Sequence, residues 1–454
     1  MKQARILVVL LAFALVAAAC GSSDDTTTTA AAAATTTTAA ASEETTTTEP
    51  EAEMEIATDF GVDLENGTIT VGLLSDLTGF FSFLVQGVVD GYQAYVDEIN
   101  ANGGINGLMI ELEVFDTVYQ ADNTVLGFNE LKDQVVAFGH SVGSPQTLGI
   151  REDLEAEGIL AIPLTWYSGW TDPTFNSNLI HHGTPYCLEA MNILDFLTQE
   201  VGTGLTLALA TFPGDYGLDS AAGVDIATEA LGIEIVLDMR GQILPGEDMT
   251  PIGEAIADSG ADIVYVAADP NFTFPGIYQS AIAKGMEAVW TGAYPTYSTG
   301  YLTAEFAEEI ERDFYGFAYV SPWGGDSVGV KEVRDLMASR RPDLPPFDYY
   351  SEGVLEAKIL EAGLRRAYDN GDMTRAGVLA AVKSFTELDF DGLAPPESYV
   401  GTPNEQVQRS GWMVRFSAED LAAGGSGTII VAEDWTGPTA AAYEFNEACY
   451  FLGS

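Results

Sequence analysis

Between Ile69 and Phe115 the spacing of apolar side chains changes twice. Ile69, Val71 and Leu73 alternate with Thr70 and Gly72, the period-two pattern of a strand. Val85, Val88, Val89, Tyr92, Val96 and Ile99 then recur at helical spacing and fall on one face. Asn102-Gly103-Gly104 stops that helix, and Asn106-Gly107 turns the chain into a second apolar run, Met109 to Phe115. The whole stretch, Thr68 to Asp116, reads as βαβ, so its strands are predicted to run parallel.

The alternation continues down the chain. Val135 to Phe138, Ile159 to Ile162, Leu205 to Ala210, Ile233 to Leu237, Ile263 to Val266 and Val289 to Thr291 are short, continuously apolar runs separated by helix-length segments. That is the pattern of parallel sheets covered on both faces, and it sets the class as α/β. His181-His182-Gly183-Thr184-Pro185 interrupts the series, which restarts at Leu205; a crossover between two similar sheets, and with it a hinge, is expected there. Tyr349 to Lys383 is helical by period. Gly392 to Glu405 reads as a Pro/Gly loop ahead of two more strands, Gly411 to Phe416 and Thr428 to Glu433.

Ahead of this body the pattern is different. Lys2 and Arg5 precede an uncharged apolar run from Ile6 to Ala19, too short to span a bilayer comfortably, so residues 1–20 read as a secretory signal. Ala17-Ala18-Ala19-Cys20 is similar to a bacterial lipobox, in which Cys20 becomes the lipidated first residue; the alternative is an ordinary cleavage site beside a chance cysteine. Residues 21–62 are mostly Thr, Ala and acids, with almost no large apolar side chains, and are expected to form a disordered tether.

Composition then narrows the function. The chain has 454 residues and is 47% hydrophobic, enough for more than one core. With 18 basic and 68 acidic side chains its formal charge of -50 would repel phosphate backbones, which argues against a nucleic-acid partner. The acidity reads either as a solvated surface or as a cation-binding patch. Gly139-His140-Ser141-Val142-Gly143 has the G-x-S-x-G form of a hydrolase nucleophile elbow, with Ser141 as nucleophile, but that arrangement needs a late histidine as base and none follows His182. An enzyme is therefore not expected. Three cysteines without C-x-x-C and three histidines without ligand spacing give no metal site, and no cofactor motif is present. If Cys20 carries lipid, Cys187 and Cys449 remain as an even pair in an oxidising compartment and are predicted to be bonded; two separate buried thiols is the alternative.

The loop after the strand at Val135 supplies Ser141, Ser144 and Thr147, and the loop after the next strand supplies Thr165, Trp166, Tyr167 and Ser168. Both should open on the carboxyl edge of one sheet, where α/β folds bind ligands, and hydroxyls with backbone N–H groups there suit a carboxylate. Capping of the helices is the simpler use of the same hydroxyls.

Gly72 through Gly79, Gly87 through Gly91, Glu98 through Gly107, Gly158 through Pro163 and Asp215-Tyr216-Gly217 together resemble the substrate-binding proteins of the Leu/Ile/Val-binding type, receptors of branched-chain amino acid ABC transporters. The likeness covers Thr68 to Pro322 well and the remainder loosely. It implies a type I periplasmic binding protein: two Rossmann-like lobes with parallel central sheets, joined by a three-segment hinge. Lobe 1 would hold residues 63–183 and about 322–390, and lobe 2 residues 184–321 and about 391–454. The implied function is an extracytoplasmic lipoprotein, periplasmic or on the outer face of the cell membrane. It would close on a small polar ligand (amino acid, amide or carboxylate-like compound) and deliver it to an ABC permease; a sensing subunit for a signalling protein shares the fold. By the same likeness the ligand's carboxylate end would meet the Ser141 to Thr147 and Thr165 to Ser168 loops. Tyr216 would face the cleft, Phe80 and Phe81 would line its mouth, and Asp269 would sit at its edge. Tyr294 stands where the amino-acid receptors carry an acid, a departure that leaves Asp269 to meet an ammonium or implies a ligand without one.

Overall fold

The computed structural model describes residues 55–172 and 178–451, so the signal segment, Cys20 and most of the tether fall outside the described residues. Twelve of the fourteen strands among the described residues lie in two sheets of like topology or in a third, smaller one. Continuing from the short β1 (Ala57–Thr58) and β2 (Val62–Asp63), β3 (Thr68–Ser75), β4 (Met109–Asp116), β5 (Ala137–Val142) and β6 (Leu160–Leu164) form a parallel sheet ordered β4-β3-β5-β6. The register runs from Thr68 opposite Met109 to Ser75 opposite Asp116, so the βαβ unit read from the sequence is parallel as predicted. The second sheet repeats the order: β7 (Thr206–Thr211), β8 (Glu234–Met239), β9 (Ile263–Ala267) and β10 (Val289–Thr291) lie as β8-β7-β9-β10. Inner strands β5 and β9 are buried at every residue, as is β6, whose free edge is covered by a bridge from Ala161 to Leu179; the edge strand β8 alternates exposed and half-buried positions. The third sheet, β11 (Gly316–Ala318), β13 (Gly411–Phe416) and β14 (Thr428–Trp435), is antiparallel.

Helices cover both parallel sheets. α1 (Ser82–Ala101), α2 (Ala121–Leu131) and α3 (Ser144–Glu157) follow strands of the first; α4 (Tyr186–Val201), α5 (Asp215–Leu231), α6 (Thr250–Ser259) and α7 (Thr273–Ala283) accompany the second. After α8 (Ala307–Asp313), α9 (Val328–Arg340), α10 (Tyr350–Asp369) and α11 (Arg375–Val382) return to the first sheet, α10 lying along α1. We call the first assembly lobe 1 and the second, with the antiparallel sheet, lobe 2. In element order the chain passes from β6 to α4, from β11 back to α9, and from α11 to β13.

Glycine decides how closely α1 and α10 approach. A Cβ at Gly353 would lie 1.8 Å from the Val88 carbonyl oxygen and one at Gly91 2.3 Å from that of Tyr350, so here backbone meets backbone.

Three local expectations change. The folded body starts before residue 63: Ala57–Thr58 already pairs with β12 (Asp372–Met373), and Val62–Asp63 pairs with β3. β5 begins later than Val135 and runs through His140 and Ser141, with an irregular register between Phe138 and Ser141. The G-x-S-x-G serine therefore lies inside a buried strand and not on an elbow. The helical period over Tyr349 to Lys383 also breaks at Gly371, whose φ of 73° separates α10 from β12 and α11. Cys187 on α4 and Cys449 are joined by a disulfide.

Candidate functional site

At the carboxyl ends of β5 and β6 a small cavity of about 40 Å3 lies between the lobes. Its lobe 1 wall is aliphatic where α1 contributes Leu84, Val85 and Val88, and aromatic at Phe81 and Trp166. Tyr186 and Tyr216 close it from lobe 2, and Tyr349, just ahead of α10, from the hinge side. The lobes are shut against one another. Phe81 and Tyr216 approach to 6.3 Å between ring centres, and Asn271 Nδ2 donates to the Phe80 carbonyl at 2.6 Å.

The hydroxyls of these tyrosines are committed to the protein. Tyr216 Oη pairs with Thr296 Oγ1 at 3.0 Å, Tyr186 Oη with Thr165 Oγ1 at 3.2 Å, and Tyr349 donates to the carbonyls of Tyr294 and Tyr297 at 3.1 and 3.0 Å. What they present inward is ring surface, so the wall is almost wholly apolar. Polar chemistry collects at one end. There Gly143, at φ 86°, lines the cavity and opens α3 without a side-chain cap, which brings the positive end of the helix dipole beside it, although Pro145 contributes no N–H.

Beside that end sits Asp215, the first residue of α5. It is 1% exposed, and neither carboxylate oxygen has a well-formed hydrogen bond, although the Ser144 hydroxyl is near enough to favour the charged form. Burial dominates and pushes its pKa up to about 6. Because the unfolded chain releases this proton nearer pH 3.8, stability falls as pH rises from about 4 to 6, and the cost persists above that window. Asp215→Asn removes it. The variant is expected to match the parent near pH 4 and to exceed it by up to about 3 kcal/mol above pH 6. Denaturant melts at several pH values check this, and a gap that does not change with pH would refute it.

The residues read from the sequence divide sharply. Phe81, Trp166 and Tyr216 line the cavity. Ser144 and Thr165 hydrogen-bond to one another at its polar end. Ser141 does not reach it: its hydroxyl pairs with Thr147 at 2.8 Å, the helix-bracing use of both residues, and no histidine is its partner. His140 is held instead by Glu356 at 2.8 Å, and His182 by the Pro163 carbonyl at 3.1 Å. Tyr167 turns away, its hydroxyl donating to the Tyr450 carbonyl at 2.8 Å, and Ser168 binds Asp219 and the Cys449 amide. Asp269 is buried and occupied: it accepts from the amides of Asn271, Phe272 and Thr273 and from the Thr273 hydroxyl, fixing the start of α7. It is not free to meet a ligand's ammonium. Tyr294 stands behind the wall, against Tyr349, Tyr319 and Trp166 at 5.0, 5.2 and 5.8 Å. Phe80 contributes its backbone to lobe closure and not its ring to the cavity.

Sequence reasoning missed Tyr119, Tyr186, Tyr349 and Asp215. Tyr119 and the preceding Val118 both take φ of 52°, a left-handed backbone that β-branched and aromatic residues rarely adopt, and this places the Tyr119 ring on the cavity wall. Only its position after the carboxyl end of β4 signalled a role. Asp215 lay in view within Asp215-Tyr216-Gly217.

Two lobes of repeated topology, three crossovers and a closed cavity between them define a bilobal solute-binding protein. The family described as periplasmic binding protein matches residues 68–424, and the chain belongs to that family. It is 29% identical over 216 residues to the Leu/Ile/Val-binding protein BraC3 of Rhizobium johnstonii, a match spanning 44% of this chain and 55% of that relative. Among solved structures it resembles a fatty acid ABC transporter substrate-binding protein from Thermomonospora curvata, with TM-score 0.79 and 24% identity over 87% of this chain and 98% of that one. A branched-chain amino acid ABC transporter protein from Thermus thermophilus with bound valine gives TM-score 0.70 at 19% identity, covering 82% and 97%. A solute-binding protein from R. palustris in complex with 4-hydroxybenzoate gives 0.69 at 16%, covering 83% and 99%. No helix among the described residues is long and apolar enough to cross a membrane.

Proposed function

We propose that this chain is the extracytoplasmic receptor of an ABC importer for small carboxylic acids with an apolar body, branched aliphatic or aromatic. It is held at the membrane by a lipid on Cys20 and by the tether that follows. One observation carries the ligand class: the cavity wall is ring and aliphatic surface, and its one polar end is the uncapped start of α3. An apolar body is desolvated by that wall, and its carboxylate meets the helix N-terminus. Among the ligands expected from the sequence this favours the carboxylate-like ones, because the one side-chain carboxyl beside that end, Asp215, has its pKa pushed up to about 6 by burial and takes up a proton most readily beside a second carboxylate. A neutral Asp215 donates a hydrogen bond to a ligand carboxylate, whereas a charged one repels it. The R. palustris protein holds 4-hydroxybenzoate and the T. curvata protein belongs to a fatty acid ABC transporter, acids of this kind, whereas the T. thermophilus protein holds valine.

Closure follows from two-sided contact. Only a ligand touching both lobes binds the closed form better than the open one and shifts the equilibrium. The test is a thermal-shift screen followed by calorimetry, with 4-hydroxybenzoate, 4-methylpentanoate, octanoate, leucine and acetamide as probes. One of the acids is expected to raise the melting temperature and to outbind leucine. Tyr216→Ala should weaken that acid about 30-fold and Ser144→Ala about 5-fold, both variants remaining folded. Stronger binding of leucine or acetamide than of every acid would defeat the proposal.

A further inference from the structure

Beneath the cavity, on the far side of Trp166, the hinge buries a cluster the binding reaction does not use. We propose that His182, Glu352 and Glu356 hold a divalent transition cation there. His182 comes from the first crossover; Glu352 and Glu356 lie one turn apart on α10 and project from the same face. All three side chains are fully buried, and one donor atom of each lies within 4.8 Å of those of the other two.

The hydrogen bonds leave a gap that a cation fits. The Pro163 carbonyl can only accept, so His182 Nε2 carries the proton of that 3.1 Å bond and Nδ1 is left as the second donor atom of the ring. Nδ1 has no hydrogen-bond partner and faces Glu352 Oε1 at 3.7 Å, too far for a hydrogen bond. Two ligands about 2.1 Å from one metal ion at an angle of roughly 120° stand that far apart. Both oxygens of Glu352 are likewise without a partner, and Oε1 of Glu356 has only the His182 Nε2–H, at 3.4 Å, which that nitrogen shares with the Pro163 carbonyl. The other oxygen of Glu356 is fixed by His140 Nδ1 at 2.8 Å, the outer-shell support that orients a metal-binding carboxylate.

Charge argues the same way. Neither Glu352 nor Glu356 pairs with a lysine or arginine among the described residues; the only ionic partners are the histidines. Glu189 and Glu397 are buried close by and add to the negative field on Glu352. Two carboxylates and a neutral imidazole around one divalent ion make a site of zero net charge, which removes the penalty of isolated buried anions. One imidazole with two carboxylates suits zinc or manganese, with water in the remaining position. Spacing in the chain could not reveal it, because the histidine and the glutamates lie far apart in sequence and meet only when the first crossover docks on α10. Trp166 packs on His182 with 6.2 Å between ring centres, so an ion here stiffens the floor of the cavity.

The experiment uses the full chain, purified without chelator. Elemental analysis is expected to find about one transition-metal ion per chain. Protein unfolded in guanidinium with EDTA and refolded with zinc should melt at a higher denaturant concentration than protein refolded without it. Glu352→Gln and His182→Gln should each cut retained zinc at least about tenfold. Cobalt in place of zinc should give visible absorption bands that both variants lose. A metal-free parent whose midpoint is the same after refolding with zinc would overturn the proposal and leave water or a shared proton in the cluster. Equal zinc in parent and variants would overturn it too, by placing the ion on surface acids. Should the variants fail to fold, the parent's metal content and its refolding comparison decide alone.

Discussion

Replacing both Cys187 and Cys449 with alanine is expected to lower the free energy of unfolding by about 4 kcal/mol. The bond closes a loop of 262 residues, and a crosslink of that span removes a large share of the unfolded chain's freedom. The loss also acts on the native side. Cys187 is fully buried on α4, and the tail bearing Cys449 is otherwise held by few bonds, among them its amide on the Ser168 hydroxyl at 2.8 Å. Denaturant melts of the parent with and without reductant, beside the double variant, measure the effect. The reduced parent should approach the variant. A parent and variant with the same midpoint would mean that the bond does not form in solution.

The second large effect is expected at Gly353. Alanine is the better helix former by about 1 kcal/mol, so on propensity alone Gly353→Ala stabilises α10. Packing reverses the sign. The added Cβ, 1.8 Å from the Val88 carbonyl oxygen, can be accommodated only if α10 moves off α1, and a net loss of about 3 kcal/mol is expected. Gly149 in α3 is the control: a Cβ there meets nothing closer than 3.8 Å, and Gly149→Ala should gain about 0.5 kcal/mol. Thermal melts of the two variants should move in opposite directions. A stabilised Gly353→Ala would show that the two helices are not in backbone contact.

The fold was legible where burial and period agree. β5, β7 and β9 lie inside sheets and read as unbroken apolar runs, while α1 buries one face and reads as a stripe. The same stripe hid the site. Val85 and Val88 satisfy the period of a core helix, yet they also wall the cavity, and spacing cannot tell a core from a cavity that is apolar. Hydroxyls misled in the opposite direction. Ser141, Thr147 and Asp269 stand on carboxyl-edge loops or strand ends as ligand groups do, but each is consumed by a local hydrogen bond that only the folded backbone reveals. Resemblance located Phe81, Trp166 and Tyr216 because their positions follow from the lobes. It could not supply Tyr119, which depends on a left-handed turn, nor Tyr349, which arrives from the last return to lobe 1.

The last residues of the body straddle both lobes. Ala448 and Tyr450 join a cluster that holds Tyr167, Trp170 and Leu179 of the first crossover with Leu74, Phe128, Phe138 and Ile150 of lobe 1, while Cys449 between them is bonded to α4 of lobe 2. A door fitted with a check strap opens only until the strap is taut. Opening here must stop where these three residues draw tight, or else pull two side chains from lobe 1. If the lobes part, the angle they reach is expected to be set by this covalent stop as well as by the crossovers, and breaking that one sulfur–sulfur bond to widen the swing.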